Sequence, residues 1–201
     1  TMRMMLDIIR PEEGQILWND APITNVPRNK FGYLPEERGL YPRMRVQDHL
    51  LFLAQLYGAD ERAAKATLDE WLERLNIEEN RFKKVEELSK GNQQKIQFLA
   101  AILHDPEILI MDEPFSGLDP VNAEMIKDAF RVMRDRGKTI IFSIGFILGG
   151  YGRIYSINMF FDISRFCDLF QPVPSHINRM FSLTYALDSS DKNRFIQAVL
   201  H

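Results

Sequence analysis

The sequence has little of several features that mark large classes of protein. It contains one cysteine, Cys167, so an internal disulfide is excluded and a reducing compartment is favoured. It has no apolar run of the roughly 18 residues that a membrane-spanning helix requires, and its first residues lack a cleavable signal pattern. Its net charge of -3 gives no general attraction to polyanions, so we expect no nucleic-acid partner.

Glutamate is missing from the last part of the chain. Every glutamate precedes residue 144, and Lys192 is the only lysine that follows it, whereas phenylalanine and tyrosine are frequent there. Because so abrupt a change of composition indicates a boundary, we predict one domain over residues 1–143 and an unassigned tail over residues 144–201. Within the tail, the spacing of apolar residues predicts one helix over residues 188–200.

The first 143 residues alternate between the patterns of strands and helices. Short apolar runs predict strands at 15–18, 30–34, 107–111 and 138–142. Apolar positions at helical spacing predict three successive helices between residues 46 and 104, and a later helix over 122–136. Strands and helices in this order indicate an α/β fold with a parallel sheet, and the three consecutive helices indicate an inserted helical subdomain.

Two adjacent carboxylates, Asp112 and Glu113, follow the most apolar of the predicted strands. Ligands of open α/β sheets bind beyond the carboxyl ends of strands, so a site is expected at this point. Asp112 has the hard oxygen ligands that Mg²⁺ prefers, and Glu113 has a carboxylate that can orient or deprotonate an attacking water. Taken alone, the same pattern also fits a buried strand followed by a solvated acidic turn.

Ser89 and Gly91 stand at the predicted start of the third helix. The free backbone N–H groups and the dipole of a helix N-terminus favour an anion, and a glycine allows a phosphate to approach the backbone closely. Taken alone, these residues favour an N-cap serine with a neighbouring glycine over a phosphate site.

In their order and spacing, these segments resemble the ATP-binding subunits of ABC transporters. The segments Leu88–Lys95, Ile110–Pro114 and Phe115–Pro120 match the signature motif, the Walker B strand and the D-loop of that family. Gly32–Glu36 is similar to its Q-loop, and the resemblance extends over residues 1 to about 143. It implies the P-loop NTPase type of α/β fold, with the helical subdomain at about residues 46–104.

The resemblance also implies a mechanism. Two such domains face each other head to tail, and each ATP lies between the P-loop of one domain and the signature motif of the other. Asp112 would then bind Mg²⁺, and Glu113 would be the catalytic base. The residues implied to lie around the nucleotide are Ser89, Gly91, Asn92, Glu36 and Asp119. The further partner implied is a membrane-spanning transporter subunit, which places the chain at the cytoplasmic face of a membrane.

The sequence departs from the family pattern at four points. It contains no G-x-x-x-x-G-K-[ST] P-loop, which by family spacing would end just before Thr1. Glu36 replaces the Q-loop glutamine, Leu-Ser-Lys-Gly-Asn replaces the common signature Leu-Ser-Gly-Gly-Gln, and Gly145 stands where the family has a switch histidine. We therefore expect a truncated copy that does not hydrolyse ATP alone.

Three interpretations of function remain at this point. The signature Leu-Ser-Lys-Gly-Asn and the segment Glu-Glu-Arg-Gly-Leu-Tyr are similar to those of exporter ATPases, which favours a subunit of an exporter. The second interpretation is a soluble ABC ATPase that acts outside transport, and the third is a non-enzymatic remnant or interaction module. The sequence indicates neither the substrate nor the partner subunit.

Overall fold

The computed structural model describes residues 2–37, 39–147, 154–159 and 196–199 of the 201-residue chain, with side-chain environments described up to residue 143. The chain divides into two compact units. Residues 1–26 and 162–201 belong to the first unit, and residues 27–161 form the second.

The second unit contains a four-stranded sheet in which three neighbouring strands are parallel. Its strands are β3 (Phe31–Leu34), β4 (Ile108–Met111), β5 (Thr139–Ile147) and β6 (Ile154–Met159), in the order β3-β4-β5-β6. Leu34 pairs with Met111, and Met111 pairs with Phe142, so the carboxyl ends of β3 and β4 lie level with the middle of β5. Beyond Phe142, β5 continues and pairs with β6 in the antiparallel sense. All four residues of β4 are buried, as expected for the central strand of a covered parallel sheet.

The described part of the second unit contains four α-helices, and three of them begin at a residue whose side chain caps a free backbone N–H group. The four helices are α2 (Val46–Leu56), α3 (Glu61–Arg74), α4 (Lys90–Ile102) and α5 (Pro120–Asp135). The side chain of Arg45, which precedes α2, makes no capping hydrogen bond. The side chains of Asp60, Ser89 and Asp119 accept hydrogen bonds from backbone N–H groups in the first turns of α3, α4 and α5. The last helix begins two residues earlier than the sequence pattern predicts, because Pro120 suits the first position of a helix.

One continuous hydrophobic core joins the helical insertion to the sheet. Trp71 of α3 contacts Phe98 of α4 edge to face, with their ring centroids 5.7 Å apart. Phe98 packs against Phe130 of α5 at 5.9 Å, and Phe130 packs against Phe142 of β5 at 6.0 Å. Because aromatic rings bury large apolar areas, this chain of contacts makes the stability of the helical insertion depend on that of the sheet.

The buried face of α2 differs from the face that the sequence pattern predicts. The spacing of the apolar residues predicts a buried face that includes Leu56 and Tyr57, yet both side chains are exposed. The buried residues of this helix are Val46, His49, Leu50, Leu51 and Ala54. The prediction of a helix here is correct, but the prediction of its buried face is partly wrong. Apolar residues occupy most positions of α2, so their spacing does not define a single face.

The first unit, over its described residues, contains a short helix and a three-stranded sheet. The helix is α1 (Met2–Met5), and the sheet has the order β2-β1-β7, with β1 at Gln15–Trp18, β2 at Ala21–Pro22 and β7 at Ile196–Val199. Both neighbours pair with β1 in the antiparallel sense. The prediction of a helix over residues 188–200 is wrong at 196–199, where pairing with β1 satisfies the backbone instead; residues 188–195 and 200 lie outside the described ranges.

Over the described ranges, no helix combines the length and the apolar character that crossing a membrane requires.

A buried histidine makes the second unit sensitive to acid. His49 is fully buried, and neither of its ring nitrogens has a hydrogen-bond partner among the described residues. The ring of Tyr41 packs edge-on against it at 5.4 Å. Burial lowers the pKa of His49, because the charged imidazolium loses its hydration. The unfolded chain therefore binds a proton at a higher pH than the folded chain does, and stability falls as the pH drops below about 6.5.

Replacing His49 by leucine is expected to remove this part of the pH dependence. The free energy of unfolding of the wild type should decrease between pH 7.5 and pH 5.5, at up to about 1.4 kcal/mol per pH unit for one proton. The slope should be smaller in His49→Leu, although the half-buried His104, whose pKa is also lowered chiefly by burial, keeps its own contribution. Urea denaturation at both pH values measures the difference. Equal slopes in the two proteins would contradict the role given to His49.

Candidate functional site

Three neighbouring parallel strands bring chemically active residues to one edge of the second unit's sheet. Asp112 and Glu113 directly follow β4, and Ser143 directly follows the residue of β5 that pairs with the end of β4. Glu36 lies two residues beyond the end of β3, and its side chain is exposed. The backbone N–H of Asp112 donates to the carbonyl of Leu34 over 2.8 Å, so the ladder between β3 and β4 continues into the site.

The two carboxylate residues have different surroundings. Asp112 and Glu113 are both half-buried, and the carboxylate of Asp112 accepts a hydrogen bond from the hydroxyl of Ser143. The backbone of Glu113 has a φ of 46°, in the left-handed region that non-glycine residues rarely adopt. Ser116 donates from its backbone N–H to the carbonyl of Glu113 over 3.0 Å, which closes a turn directly after the site. The chain therefore reverses sharply once it has presented the acidic pair.

The loop that carries Glu36 is held by a side chain from α4. The side-chain amide of Gln97 donates to the carbonyls of Pro35 and Glu37, over 2.7 Å and 3.2 Å. Gln97 is itself buried. The two carbonyls flank Glu36, so the backbone on either side of this residue is fixed to α4.

The N-terminus of α4 presents the residues of the predicted phosphate site. The hydroxyl of Ser89 accepts a hydrogen bond from the backbone N–H of Asn92 over 3.2 Å, so Ser89 is the N-cap residue of α4. Ser89 is exposed, while Gly91 and Asn92 are half-exposed. The other backbone N–H groups of the first turn have no acceptor within the helix, and such groups together with the helix dipole suit an anion. The structural and the chemical interpretations of this motif are therefore compatible.

Gly91 and Asp119 are brought together through Asn122. A Cβ atom placed on Gly91 would lie 2.6 Å from Nδ2 of Asn122, so a side chain at this position would require the side chain of Asn122 to move. Asn122 in turn donates to both carboxylate oxygens of Asp119, from its backbone N–H over 3.0 Å and from its side-chain amide over 2.5 Å. The hydrogen bond from the backbone N–H of Asn122 is the main reason that the pKa of Asp119 lies below its ordinary value.

A buried lysine connects the same helix to α3. Lys95 lies one turn beyond Gly91, and its ammonium group donates to the carbonyl of Leu75 over 3.1 Å, at the C-terminal end of α3. Burial lowers the pKa of Lys95, while the negative charge of Asp119 raises it and so opposes that effect. The cation is placed where the carbonyl end of a helix dipole favours it.

The sequence pattern missed three residues that organise the site, namely Ser143, Gln97 and Asn122. Ser143 carried a usable signal, because residues that follow adjacent parallel strands in register must lie side by side. The sequence signal of Gln97 was weaker, because it consisted only of a polar residue among the apolar residues of α4. Its partners on Pro35 and Glu37 are about sixty residues away in sequence, and no local pattern identifies them.

The fold and the position of the acidic pair define a class of protein. A parallel α/β sheet with adjacent carboxylates beyond a fully buried strand, interrupted by a helical insertion, is the P-loop NTPase type of fold. Residues 1–116, more than half of the chain, match the family model described as ABC transporter. The chain belongs to the ABC transporter family, and the predicted fold class is confirmed by similar solved structures.

Individual relatives support the same assignment. The chain is 56% identical over 143 residues to the ABC transporter ATP-binding protein YhaQ of Bacillus subtilis (strain 168), covering 71% of this chain and 48% of YhaQ. It is 32% identical over 150 residues to the Nod factor export ATP-binding protein I of Burkholderia pseudomallei (strain 1710b), covering 73% and 49%. A solved ATP-binding subunit of an ABC transporter superposes with a TM-score of 0.63 at 28% identity, covering 70% of this chain and 60% of that one. The chain thus spans about half the length of these curated relatives.

Proposed function

We propose that the chain is part of an ATP-binding subunit that drives an ABC-type exporter. The observation that carries this proposal is the position of Asp112 and Glu113 at the carboxyl end of β4, between the end of β3, whose following loop carries Glu36, and Ser143 of β5. A magnesium nucleotide needs a hard carboxylate ligand and a second carboxylate beside it, and this edge of the sheet supplies both.

The residues of this edge divide the chemistry between them. Asp112 would bind the metal, since Mg²⁺ in phosphoryl-transfer sites usually takes one or two carboxylates and completes its shell with water and phosphate. Glu113 would accept a proton from the attacking water. Bound Mg²⁺ neutralises charge that develops on the β- and γ-phosphates of ATP. Glu36 is a carboxylate where the family has an amide, so it adds a negative charge near the metal but provides no N–H donor.

The N-terminus of α4 fits the phosphates of a second domain's nucleotide. Ser89 already accepts a bond from the backbone, so its hydroxyl hydrogen stays available to donate to a phosphate oxygen. The backbone of Gly91 and the side chain of Asn92 lie in the same helix turn and would provide further contacts. Asp119, whose side chain is exposed, would lie across the seam of a head-to-tail dimer.

A separate exposed apolar surface fits a membrane-spanning subunit. Tyr41 and Phe52 are both exposed, and their rings contact each other with centroids 6.4 Å apart. Leu56, which is also exposed, follows Phe52 by one turn on the same side of α2. Contiguous apolar side chains at a protein surface usually mark a contact with another protein. The membrane subunit would place the chain at the cytoplasmic face.

Export as the direction of transport rests on resemblance. One relative is named for Nod factor export, and the Leu-Ser-Lys-Gly-Asn signature of this chain is similar to that of exporter ATPases. Among the described residues, none favours the alternative of a soluble ABC ATPase, whereas Glu36 and Gly145, which depart from the family pattern, favour the alternative of a non-enzymatic module.

ATP-dependent association with a P-loop-bearing domain tests the proposed function. The purified chain is mixed with full-length YhaQ, and sedimentation velocity is measured with ATP, with ADP and without nucleotide. We expect a one-to-one complex with ATP only, because the signature motif of this chain completes the nucleotide site of the other protein. Replacing Ser89 by arginine should abolish the complex, since the long side chain blocks the start of α4.

Replacing Leu56 by arginine is the matched control. It makes a comparable change at an exposed position outside the nucleotide surface, and it should leave the ATP-dependent complex intact. Association that is equal with and without ATP, or that survives Ser89→Arg, would overturn the proposal.

A further inference from the structure

Ser143 has contacts that neither the family pattern nor the proposed roles of the acidic pair explain. Its hydroxyl oxygen accepts a hydrogen bond from the backbone N–H of Glu113 over 3.0 Å and donates one to Oδ1 of Asp112. The chemistry of the partners sets these directions, because a backbone N–H only donates and a carboxylate only accepts. One hydroxyl therefore contacts both residues of the pair.

The surroundings make both of these bonds consequential. Ser143 is 3% exposed, so water does not readily replace its hydroxyl, and a buried donor or acceptor that loses its partner is costly. The backbone of Glu113 is in the left-handed region, a conformation that must be stabilised by its contacts. The hydrogen bond to its N–H fixes the orientation of the peptide from which the Glu113 side chain projects.

We propose that Ser143 is a positioning residue for the acidic pair, holding the carboxylate of Asp112 in one rotamer and the backbone of Glu113 in its left-handed conformation. The consequence for catalysis rests on the proposed function. If Asp112 is the metal ligand and Glu113 the base, Ser143 keeps the distance between them fixed. Phosphoryl transfer depends mainly on positioning and charge, so a fixed spacing is what such a site requires. Ser143 itself does not contact the nucleotide in this scheme.

A pair of variants isolates the hydroxyl from the packing. Ser143→Thr keeps the hydroxyl and adds a methyl group, whereas Ser143→Val adds the same bulk and has no hydroxyl. Amide hydrogen exchange of Glu113 is measured by nuclear magnetic resonance in the wild type and in both variants, with the amide of Ile110 in β4 as an internal reference. The three-bond couplings of the Asp112 side chain report whether it occupies one χ1 rotamer. Neither measurement requires ATP, so a failure here is distinguishable from a failure of the proposed function.

We expect the Glu113 amide to exchange about threefold to tenfold faster in the valine variant than in the threonine variant, the ratio that one hydrogen bond of ordinary strength gives. The Asp112 couplings should indicate a single rotamer with threonine and an average of rotamers with valine. The exchange of Ile110 should be alike in the two variants, which shows that both are folded. Equal exchange of Glu113 in the two variants, or equal Asp112 couplings, would overturn the proposal. If either variant fails to fold, the same couplings and exchange compared between wild type and Ser143→Ala decide the matter.

Discussion

Replacement of Leu72 by aspartate is expected to unfold the second unit of the protein. Leu72 is 1% exposed on α3, beside Trp71, whose ring begins the aromatic chain that leads through Phe98 to the sheet. An aspartate there loses the apolar contacts of the leucine and buries a carboxylate with no counter-charge. We expect a loss of about 4–5 kcal/mol, comparable to the whole stability of many domains of this size.

The same change at Leu56 is the control for this prediction. Leu56 is 65% exposed on the neighbouring helix α2, so Leu56→Asp should alter the free energy of unfolding by less than about 0.5 kcal/mol. Urea denaturation followed by circular dichroism at 222 nm measures both variants. If Leu72→Asp kept the unfolding midpoint of the wild type, the continuous core between insertion and sheet would be disproved.

Replacement of Gly32 by alanine is expected to destabilise the protein nearly as much, although it adds only one methyl group. The Cβ atom would lie 2.1 Å from the backbone carbonyl oxygen of Ala101 in the last turn of α4, and 2.6 Å from a methyl group of Leu109. The carbonyl belongs to the helix backbone, so it moves only if α4 moves. Overpacking of this kind costs about 3 kcal/mol where the backbone must shift.

Gly39 provides the matched control for Gly32. A Cβ atom on Gly39 would have no neighbour within 4 Å in the described part of the chain. The same Gly-to-Ala change there should be neutral, or should stabilise by about 0.5 kcal/mol because it restricts the unfolded chain. Thermal denaturation of the two variants separates a steric effect from a general effect of losing glycine. A melting temperature for Gly32→Ala equal to that of Gly39→Ala would show that β3 and α4 are not in close contact.

The elements of the second unit were largely predictable because their signals are local. Apolar runs identify β4, and Asp60 and Ser89 mark helix starts through bonds to residues three positions later. Walker B and signature segments lie close enough in sequence for their spacing to be informative. The prediction of Asp112 and Glu113 at one end of a buried strand therefore agrees with the position that the structure gives them.

The remaining features depend on contacts that no local pattern contains. Gly32 was interpreted only as part of a motif, whereas its small size is required by a helix about seventy residues further on. The strand at residues 196–199 exists through pairing with β1 near the start of the chain, and it replaces a predicted helix. A hydrophobic pattern gives the spacing of apolar residues along a segment. Where helix and strand are of similar local preference, the element that pairs with the segment decides between them.

The double hydrogen bond from Gln97 to the loop around Glu36 has a mechanical consequence. Together with the close contact between Gly32 and the last turn of α4, it removes the freedom of that loop to slide against the helix. We therefore expect the loop after β3 and α4 to move together, because these contacts attach the loop to the helix. A displacement of the exposed loop would then change the tilt of α4 at Ser89. A ligand bound at Ser89 would in turn change the position of the loop.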